Sequence, residues 1–218
     1  MLWIKSVPKA GKDISTPRKI VGAILVVILM TAAFGFAQGW FLAFEVNSES
    51  MYPTINTGDC LLVDTRQPFA PKVGDIVAVK NPEDPVSWLC KRIVAVPNDQ
   101  VRFIKCRFYR NGRLQSTTVF LPGDKMDEFG NLNLQLDYDE YFVMGDNQAD
   151  SHDSRDFGPV HASDLIGRVT RIYWPLNRVQ SLSQEAQDYF QSLSGLGPGT
   201  RQEESMPPTP QPSPRPGH

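Results

Sequence analysis

The chain has 218 residues, a formal net charge of −2 and a hydrophobic content of 41%. This length holds one domain of ordinary size plus peripheral segments, and the apolar fraction is that of a globular protein rather than a multispanning one. Because the charge is nearly balanced, nucleic acid is not an expected partner. Three cysteines without a CxxC pair and three histidines indicate no metal site and no disulfide framework, although one disulfide is allowed in an oxidising compartment.

Residues 20–41 are predicted to form one transmembrane helix. No charged residue occurs between Lys19 and Glu45, and a spanning helix needs about 20 apolar residues. Positive charges cluster before this stretch, so the positive-inside rule predicts that segment 1–19 is cytoplasmic and that the rest lies across the membrane. Cleavage after residues 35–37, as in a signal peptide, is the alternative. The apolar run exceeds the roughly 7–15 residues of a signal-peptide core, which favours a retained anchor.

Short segments of β character alternate with turn signals after the anchor. The predicted strands are residues 60–63, 75–79, 89–96, 101–109, 140–144 and 165–174. No helical period of useful length occurs among them, so we expect a mainly β, antiparallel-sheet domain over residues 42–180. Asn111-Gly112 is a strong hairpin signal, and residues 101–140 are expected to form a small hairpin insertion.

The C-terminal part of the chain differs in composition. Residues 181–194 are expected to include a short helix. Residues 195–218 are dominated by Gly, Pro, Ser and Gln and contain seven of the 18 prolines. Such a segment has too few apolar residues to form a core, so we expect a disordered tail.

The segment SESMYPT at residues 48–54, just past the apolar run, is the first candidate for chemistry. A serine hydroxyl there would become a nucleophile if a neighbouring base removed its proton. Ser50 is the candidate, and its backbone N–H and the Ser48 hydroxyl are the nearest donors for a developing oxyanion. The alternative is that both serines belong to an ordinary structural loop.

Lys91 is the candidate base. A lysine pKa starts near 10.4 and must fall by about 3, which corresponds to about 4 kcal/mol, before the amine can act as a base near neutral pH. Burial among apolar side chains has this effect. In an extended segment Lys91 shares a face with Leu89 and Ile93, and Arg92 projects to the other side. A lysine on an edge strand, where it discourages aggregation, is the alternative.

A third cluster, GDNQADSHDSR, occupies residues 145–155 after a predicted strand. Its first residues suggest a tight turn, and Ser151, Asp153 and Arg155 follow at a spacing of two. A buried Asp153–Arg155 ion pair would fix the loop, and Ser151 would orient the lysine amine. The alternative is a polar turn with a solvated ion pair. His152 points the opposite way in an extended segment and is expected at the surface.

In order and spacing, these clusters resemble bacterial type I signal peptidase (leader peptidase), a family with a Ser–Lys dyad. The resemblance covers about residues 20–174. It is carried by SESMYPT at 48–54, GDIV at 74–77, KR at 91–92 with Pro97 and Asp99, the cluster at 145–155, and LIGR at 165–168.

The resemblance implies roles for individual residues. Ser50 becomes the nucleophile and Lys91 the general base. Ser48 joins the Ser50 N–H in the oxyanion hole, and Ser151 orients Lys91. Four further residues are implied to support the site: Asp146, Asn147, Asp153 and Arg155. A cleft for small substrate side chains is implied, lined by Phe44, Val46, Met51, Ile55, Leu89 and Cys90.

Two departures from the family pattern stand out. AVPND at residues 95–99 replaces a glycine-containing turn, and Asn98 can adopt the positive φ that such a turn needs. Gln148 and Ala149 stand where the family often has an Arg-Asp pair, which affects the local ion network rather than the dyad.

The implied function is a membrane-anchored serine endopeptidase that cleaves signal peptides from exported preproteins after small residues, through an acyl-enzyme. No metal or cofactor is needed. The implied partners are preprotein signal peptides and the lipid bilayer, with proximity to the protein-export channel. The implied location is the plasma membrane or a photosynthetic internal membrane.

Three other functions remain open from the sequence. A self-cleaving Ser–Lys regulator usually carries a DNA-binding module, and nothing basic or helix-turn-helix-like occurs here. A membrane-tethered β domain would bind partners without catalysis. A Ser-His-Asp hydrolase would use His152 or His161 as its base.

Overall fold

The described residues of the N-terminal unit include an apolar helix. The computed structural model describes residues 15–66, 68–84, 86–115, 120 and 122–182. Helix α1 (Ser15–Ala37) includes the stretch Ile20–Ala37, which is long and apolar enough to cross a membrane by length and composition. The helix ends at Ala37 and does not reach residue 41 as predicted. Gly39 follows with a φ of 70°, the left-handed conformation that commonly ends a helix.

The unit that begins at Phe41 consists of two antiparallel sheets. In chain order the strands are β1 (Phe41–Glu45), β2 (Cys60–Asp64), β3 (Ile76–Lys80), β4 (Trp88–Ala95), β5 (Gln100–Ile104), β6 (Arg107–Arg110), β7 (Arg113–Leu114), β8 (Leu132–Gln135), β9 (Glu140–Met144), β10 (Val160–His161), β11 (Leu165–Trp174) and β12 (Gln180–Ser181). Two 3₁₀ turns, Ala162–Asp164 and Leu176–Arg178, flank β11. The expected mainly β, antiparallel fold is confirmed.

The larger sheet has the order β1-β2-β11-β3-β4-β9-β10, and β12 pairs with β11 outside this path. Strand β4 therefore lies in the interior of the sheet, between β3 and β9. Its register places Lys91 opposite Val77 of β3 and Arg92 opposite Met144 at the end of β9. The loop that follows β9 consequently starts beside the strand that carries Lys91.

The smaller sheet has the order β7-β6-β5-β8 and corresponds to the predicted hairpin insertion. The single strand predicted for residues 101–109 is wrong, because the chain reverses at Lys105 and Cys106. Both residues have positive φ, 49° and 60°, the combination found in tight two-residue hairpins. The predicted turn at Asn111-Gly112 is observed between β6 and β7, again with positive φ at both residues.

Three apolar clusters form the core. One joins β2, β3 and β11 with the loop after β1, a second lies between the two sheets around four phenylalanines, and a third packs on β3, β4 and β9. The phenylalanines of the second cluster are Phe103, Phe108, Phe120 and Phe142. The first cluster matters for the site, because Met51 and Ile55 insert into it beside Leu61 and Val63.

Most predicted strands are present in the structure. Residues 140–144 and 165–174 coincide with β9 and β11, while β1, β8, β10 and β12 were not predicted. The expected short helix at 181–194 lies almost entirely outside the described residues, except that Ser181 belongs to β12. The cytoplasmic segment before residue 15 and the Pro-rich tail also lie outside them.

Candidate active site

Ser50 lies in a loop that connects β1 to β2. The base of this loop is closed by two backbone hydrogen bonds: the Val46 N–H donates to the Asp59 carbonyl at 2.9 Å, and the Gly58 N–H donates to the Val46 carbonyl at 2.8 Å. Ser50 is buried, and its Oγ lies 3.3 Å from the Oγ of Ser48. The Ser48 hydroxyl is thus within hydrogen-bond distance of the predicted nucleophile.

Lys91 lies in the middle of strand β4 and is only 2% exposed. The interpretation as an edge-strand lysine that discourages aggregation is wrong, because the side chain is buried. Strand β3 pairs with β4 at Lys91, and β9 pairs with β4 from Arg92 onward. Leu89 and Ile93, which share its face, pack into an apolar cluster with Val77. Burial lowers the pKa of Lys91, although the nearby Asp153 carboxylate acts in the opposite direction. A buried ammonium loses its hydration, so the neutral amine is favoured.

The Lys91 amine has a fixed polar partner in Ser151. Lys91 Nζ donates to Ser151 Oγ at 3.2 Å, and the Ser151 hydroxyl donates to Asp153 Oδ2 at 2.8 Å. These two hydrogen bonds connect β4 to the loop after β9. The Lys91 amine and the Ser151 hydroxyl are therefore in contact, and the orienting role of Ser151 stays a prediction.

Asp153 is fully buried and forms an ion pair with Arg155, with Arg155 Nε 2.8 Å from Asp153 Oδ1 and Nη2 2.9 Å from Oδ2. Burial alone would raise the pKa of Asp153. The Arg155 guanidinium, the Gly145 N–H and the Ser151 hydroxyl together lower that pKa. The carboxylate is therefore charged, and the alternative of a solvated ion pair is wrong.

A second buried ion pair fixes the other face of β4. Arg92 donates to Asp146 through Nε at 2.7 Å and through Nη2, and its Nη1 donates to the Gly74 carbonyl at 2.8 Å. A guanidinium and a carboxylate that bond in this bidentate way also fix each other's direction. The pair therefore holds the start of the loop after β9 against β4.

The same loop also holds the Ser50 segment. The Asn147 N–H donates to the Ser50 carbonyl at 3.0 Å, and Asn147 Nδ2 donates to the Glu49 carbonyl at 3.1 Å. Gly145 makes this approach possible, since a Cβ atom there would fall within 3.0 Å of both the Ser50 carbonyl oxygen and the Ser151 Oγ. The Ser50 carbonyl and the Ser151 side chain therefore both lie against Gly145.

Within the described part of the chain, no hydrogen bond joins Ser50 Oγ to Lys91 Nζ. The Ser50 hydroxyl faces Ser48, and the Lys91 amine faces Ser151. Catalytic hydrogen bonds are often long in the absence of substrate and shorten in the reacting complex. The Ser50 hydroxyl and the Lys91 amine are thus held by separate contacts.

The residues expected to line the substrate cleft fall into two groups. Val46, Met51 and Ile55 are buried in one apolar cluster, against which Phe44 and Cys90 pack. Leu89 instead belongs to the cluster on the other face of β4. Burial raises the pKa of the Cys90 thiol to about 12, so this side chain is neutral beside Lys91.

The two histidines of the domain lie at the surface. His152 Nε2 is 2.8 Å from Glu83 Oε2, and His161 Nδ1 is 3.3 Å from Asp139 Oδ2. In the described ranges neither histidine contacts a serine hydroxyl, which argues against a Ser-His-Asp site. No group of three His, Cys, Asp or Glu side chains in those ranges is arranged to hold a metal ion. All three cysteines are free thiols.

Sequence reasoning missed several contacts that position the loop. It did not identify Arg92 as the partner of Asp146, nor the buried contact between Asp59 and Arg178. The signal for Arg92 was available, because an arginine directly after a buried lysine on a strand needs a carboxylate on the opposite face. No comparable local signal marks Arg178, which lies 119 residues from Asp59 in the chain.

A buried lysine bonded through Ser151 to a buried ion pair, in a loop that also holds the segment of Ser50, is an arrangement suited to a serine hydrolase that uses lysine as its base. The family model described as signal peptidase, peptidase S26, matches residues 18–174. The chain belongs to this family. It is accordingly a hydrolase of the serine protease class.

Three curated relatives agree with this family assignment. A probable signal peptidase I-2 of Synechocystis sp. is 31% identical over 150 residues, 65% of this chain and 67% of that protein. Signal peptidase I P of Bacillus subtilis subsp. natto is 29% identical and covers 73% of this chain and 90% of its own length. Mitochondrial inner membrane protease subunit 1 of Xenopus tropicalis is 30% identical, and the match covers 77% of this chain and 92% of that protein. A solved signal peptidase I from Enterococcus faecalis V583 is 25% identical, with a TM-score of 0.38, over 47% of this chain and 98% of that one.

Proposed function

We propose that this protein is a membrane-anchored signal peptidase in which Ser50 is the nucleophile and Lys91 the general base. It removes signal peptides from exported preproteins. One observation supports these roles most directly: a lysine 2% exposed, with a lowered pKa, is held by Ser151 beside the loop that carries Ser50. Membership of the signal peptidase family supports the substrate class.

The reaction follows from these groups. The neutral Lys91 amine takes the Ser50 proton while Ser50 Oγ attacks the carbonyl carbon after a small residue. The Ser50 N–H and the Ser48 hydroxyl stabilise the oxyanion of the tetrahedral intermediate. The Lys91 ammonium returns its proton to the leaving amine, which leaves an acyl-enzyme. Lys91 then deprotonates a water molecule that releases the acyl group and restores Ser50.

The surrounding residues keep the amine in place. Ser151 accepts a hydrogen bond from Lys91 and is itself fixed by Asp153, which Arg155 neutralises. The amine is thus held by a hydrogen bond to Ser151 at a site where burial lowers its pKa. Asp146 and Asn147 support the site indirectly, since they hold the turn between β9 and Ser151 against β4 and the Ser50 loop.

The substrate cleft is assigned to the apolar residues around the serine. Phe44, Val46, Met51, Ile55 and Cys90 belong to one cluster beside the loop, and a cleft lined in this way accepts small apolar side chains before the cleaved bond. Leu89, which packs on the other face of β4, is assigned to the edge of the same cleft through its position next to Cys90.

The location follows from the anchor. Five basic residues and one acidic residue precede the apolar stretch, so segment 1–19 remains in the cytoplasm and the catalytic domain, residues 42–180, faces the other side. Confining enzyme and substrate to one membrane raises their effective concentration. The membrane is the plasma membrane or a photosynthetic internal membrane, in which the enzyme lies near the export channel.

The test is a cleavage assay on a preprotein whose signal peptide ends in Ala-x-Ala, with the purified full-length protein in detergent. We expect Ser50→Ala and Lys91→Met each to lower kcat by at least about 1,000-fold, as is usual when a nucleophile or its base is removed. Lys72→Met, at an exposed lysine, is the matched control and should retain activity. Normal turnover by Lys91→Met would exclude the assigned base, and loss of activity in His152→Ala would favour a Ser-His-Asp mechanism.

A further inference from the structure

The loop that carries Ser50 is held on two sides. Asn147 bonds the carbonyl groups of Glu49 and Ser50 at the end nearest the site. The far end of the loop, around Thr54, is held by residues that follow strand β11. These residues lie beyond position 174, where the match to the family model stops.

Arg178 provides most of this second attachment. Its Nε lies 2.8 Å from Asp59 Oδ1 and 3.1 Å from Oδ2, and its Nη2 lies 2.9 Å from Oδ2. The same Nη2 donates to the Thr54 carbonyl at 3.4 Å, and Gln180 Nε2 donates to that carbonyl at the same distance. Asp59 Oδ2 also accepts the Asn56 N–H at 2.8 Å. One guanidinium thus fixes both the base and the far turn of the loop.

The carboxylate side of this contact is buried, and the guanidinium side is partly exposed. Asp59 has a side chain 1% exposed, and that of Arg178 is 29% exposed. Leu182, four residues after Arg178, is buried in the same apolar cluster as Met51 and Ile55. Leu182 therefore ties the segment that carries Arg178 to the same apolar cluster that holds the Ser50 loop.

The attachment is coupled to Ser50 through a short turn. The Ile55 N–H donates to the Met51 carbonyl at 2.9 Å, and the Tyr52 N–H donates to the Glu49 carbonyl at 3.0 Å. Any rotation of the 51–55 turn would therefore displace Ser50. A planar guanidinium that bonds a carboxylate and a carbonyl at once resists such a rotation, whereas a single ammonium cannot make the same set of bonds.

We propose that Arg178, acting through Asp59 and the Thr54 carbonyl, is a positioning residue that sets the direction of the Ser50 hydroxyl for attack. This inference rests on the proposed function, since it requires Ser50 to be the nucleophile. It extends the catalytic unit past the segment that the family model covers. It also predicts that a chain truncated after residue 174 has an intact dyad but a misdirected serine.

The experiment compares Arg178→Met and Arg178→Lys with wild type in the full-length protein. Arg66→Met is the matched control, because Arg66 forms a similar two-point pair with Asp64 on β2. Active sites are counted by stoichiometric labelling with a serine-directed phosphonylating probe. Preprotein cleavage gives kcat and KM per active site, the probe gives a rate constant for Ser50 labelling, and hydrogen exchange follows the amides of residues 51–55.

We expect Arg178→Met to lower kcat and the labelling rate constant by about 10- to 100-fold, the loss typical of a misplacement of about 1 Å. KM should stay unchanged, and exchange should accelerate in residues 51–55. Arg178→Lys should recover only part of the rate, and Arg66→Met should match wild type. If Arg178→Met does not fold, Gln180→Leu removes one bond to the Thr54 carbonyl and should still slow labelling.

The outcomes separate this inference from the proposed function. An Arg178→Met variant that melts earlier but has wild-type kcat and labelling per active site would show that Arg178 is only structural. A wild-type protein whose Ser50 is labelled but which leaves the preprotein intact would refute the substrate class, and the labelling rates would still decide the role of Arg178. If wild-type Ser50 reacts with neither the probe nor the preprotein, both the proposed function and the positioning role of Arg178 are refuted.

Discussion

Replacing Gly145 with alanine should disable the site while leaving the dyad residues in the sequence. The added Cβ would fall within 3.0 Å of the Ser50 carbonyl oxygen and of Ser151 Oγ, and 2.6 Å from Ser151 Cβ. Ser50 and Ser151 approach Gly145 from different segments, so relief of the overlap must separate them. The substitution therefore disturbs the serine and the partner of Lys91 at once.

The size of the effect can be estimated from these distances. Non-bonded heavy atoms prefer a separation of about 3.5–4.0 Å, so the Ser50 carbonyl and the Ser151 side chain must each move away from the new Cβ by about 1 Å. A displacement of that size costs about 100-fold in rate. Overpacking itself costs about 1–3 kcal/mol of stability. Gly145 does not have a positive φ, so backbone strain does not add to this figure.

Gly167→Ala is the matched control for this prediction. A Cβ on Gly167 would lie 2.9 Å from both the Asp64 carbonyl carbon and Val63 Cγ1, a comparable overlap between β11 and β2. Both variants should lose similar stability in thermal unfolding, but only Gly145→Ala should lose kcat per active site in preprotein cleavage. Wild-type kcat in Gly145→Ala, or an equal loss of kcat in Gly167→Ala, would contradict this prediction.

Two further predictions concern charge. Proteolysis should increase with pH through the pKa of Lys91, which burial places below 10.5, because only the neutral amine accepts the serine proton. Asp153 raises that pKa, so Asp153→Asn should move the acidic limb of the kcat profile to lower pH while reducing the maximum; an upward move would contradict the assignment. Asp146→Asn should lower the free energy of unfolding in urea by about 3–5 kcal/mol, because Arg92 stays buried without its carboxylate. A loss below about 1 kcal/mol would mean that the pair behaves like a solvated one.

The fold was largely predictable because β periodicity and turn residues act locally. Strands β9 and β11 were predicted to the residue, and Asn98 adopts the positive φ of 67° that the turn at residues 95–99 was expected to need. The strand at residues 101–109 was misjudged, because Lys105 and Cys106 do not carry the glycine or asparagine that usually marks a hairpin turn. The short strands β10 and β12 depend on their partners and have too few residues to show a pattern.

The residues of the candidate site also differ in how far the sequence could predict them. Ser50, Lys91 and Ser151 could be proposed from the sequence because their motifs resemble a known family, and their catalytic roles stay predictions. The support of the Ser50 loop was not identifiable. Arg178 and Asp59 meet only because β11 pairs with β2, and no single-sequence pattern reports a contact between segments so far apart.

The electrostatics around Lys91 explain why the site includes an ion pair at all. Ser151 needs an acceptor to fix its hydroxyl, and Asp153 provides it at 2.8 Å. A lone buried carboxylate at that position would hold the amine in its charged form and oppose the effect of burial. Arg155 counters this, because it lowers the pKa of Lys91 while Asp153 raises it. On the proposed mechanism, the Asp153–Arg155 pair therefore orients the base through Ser151 and leaves burial to keep the amine neutral.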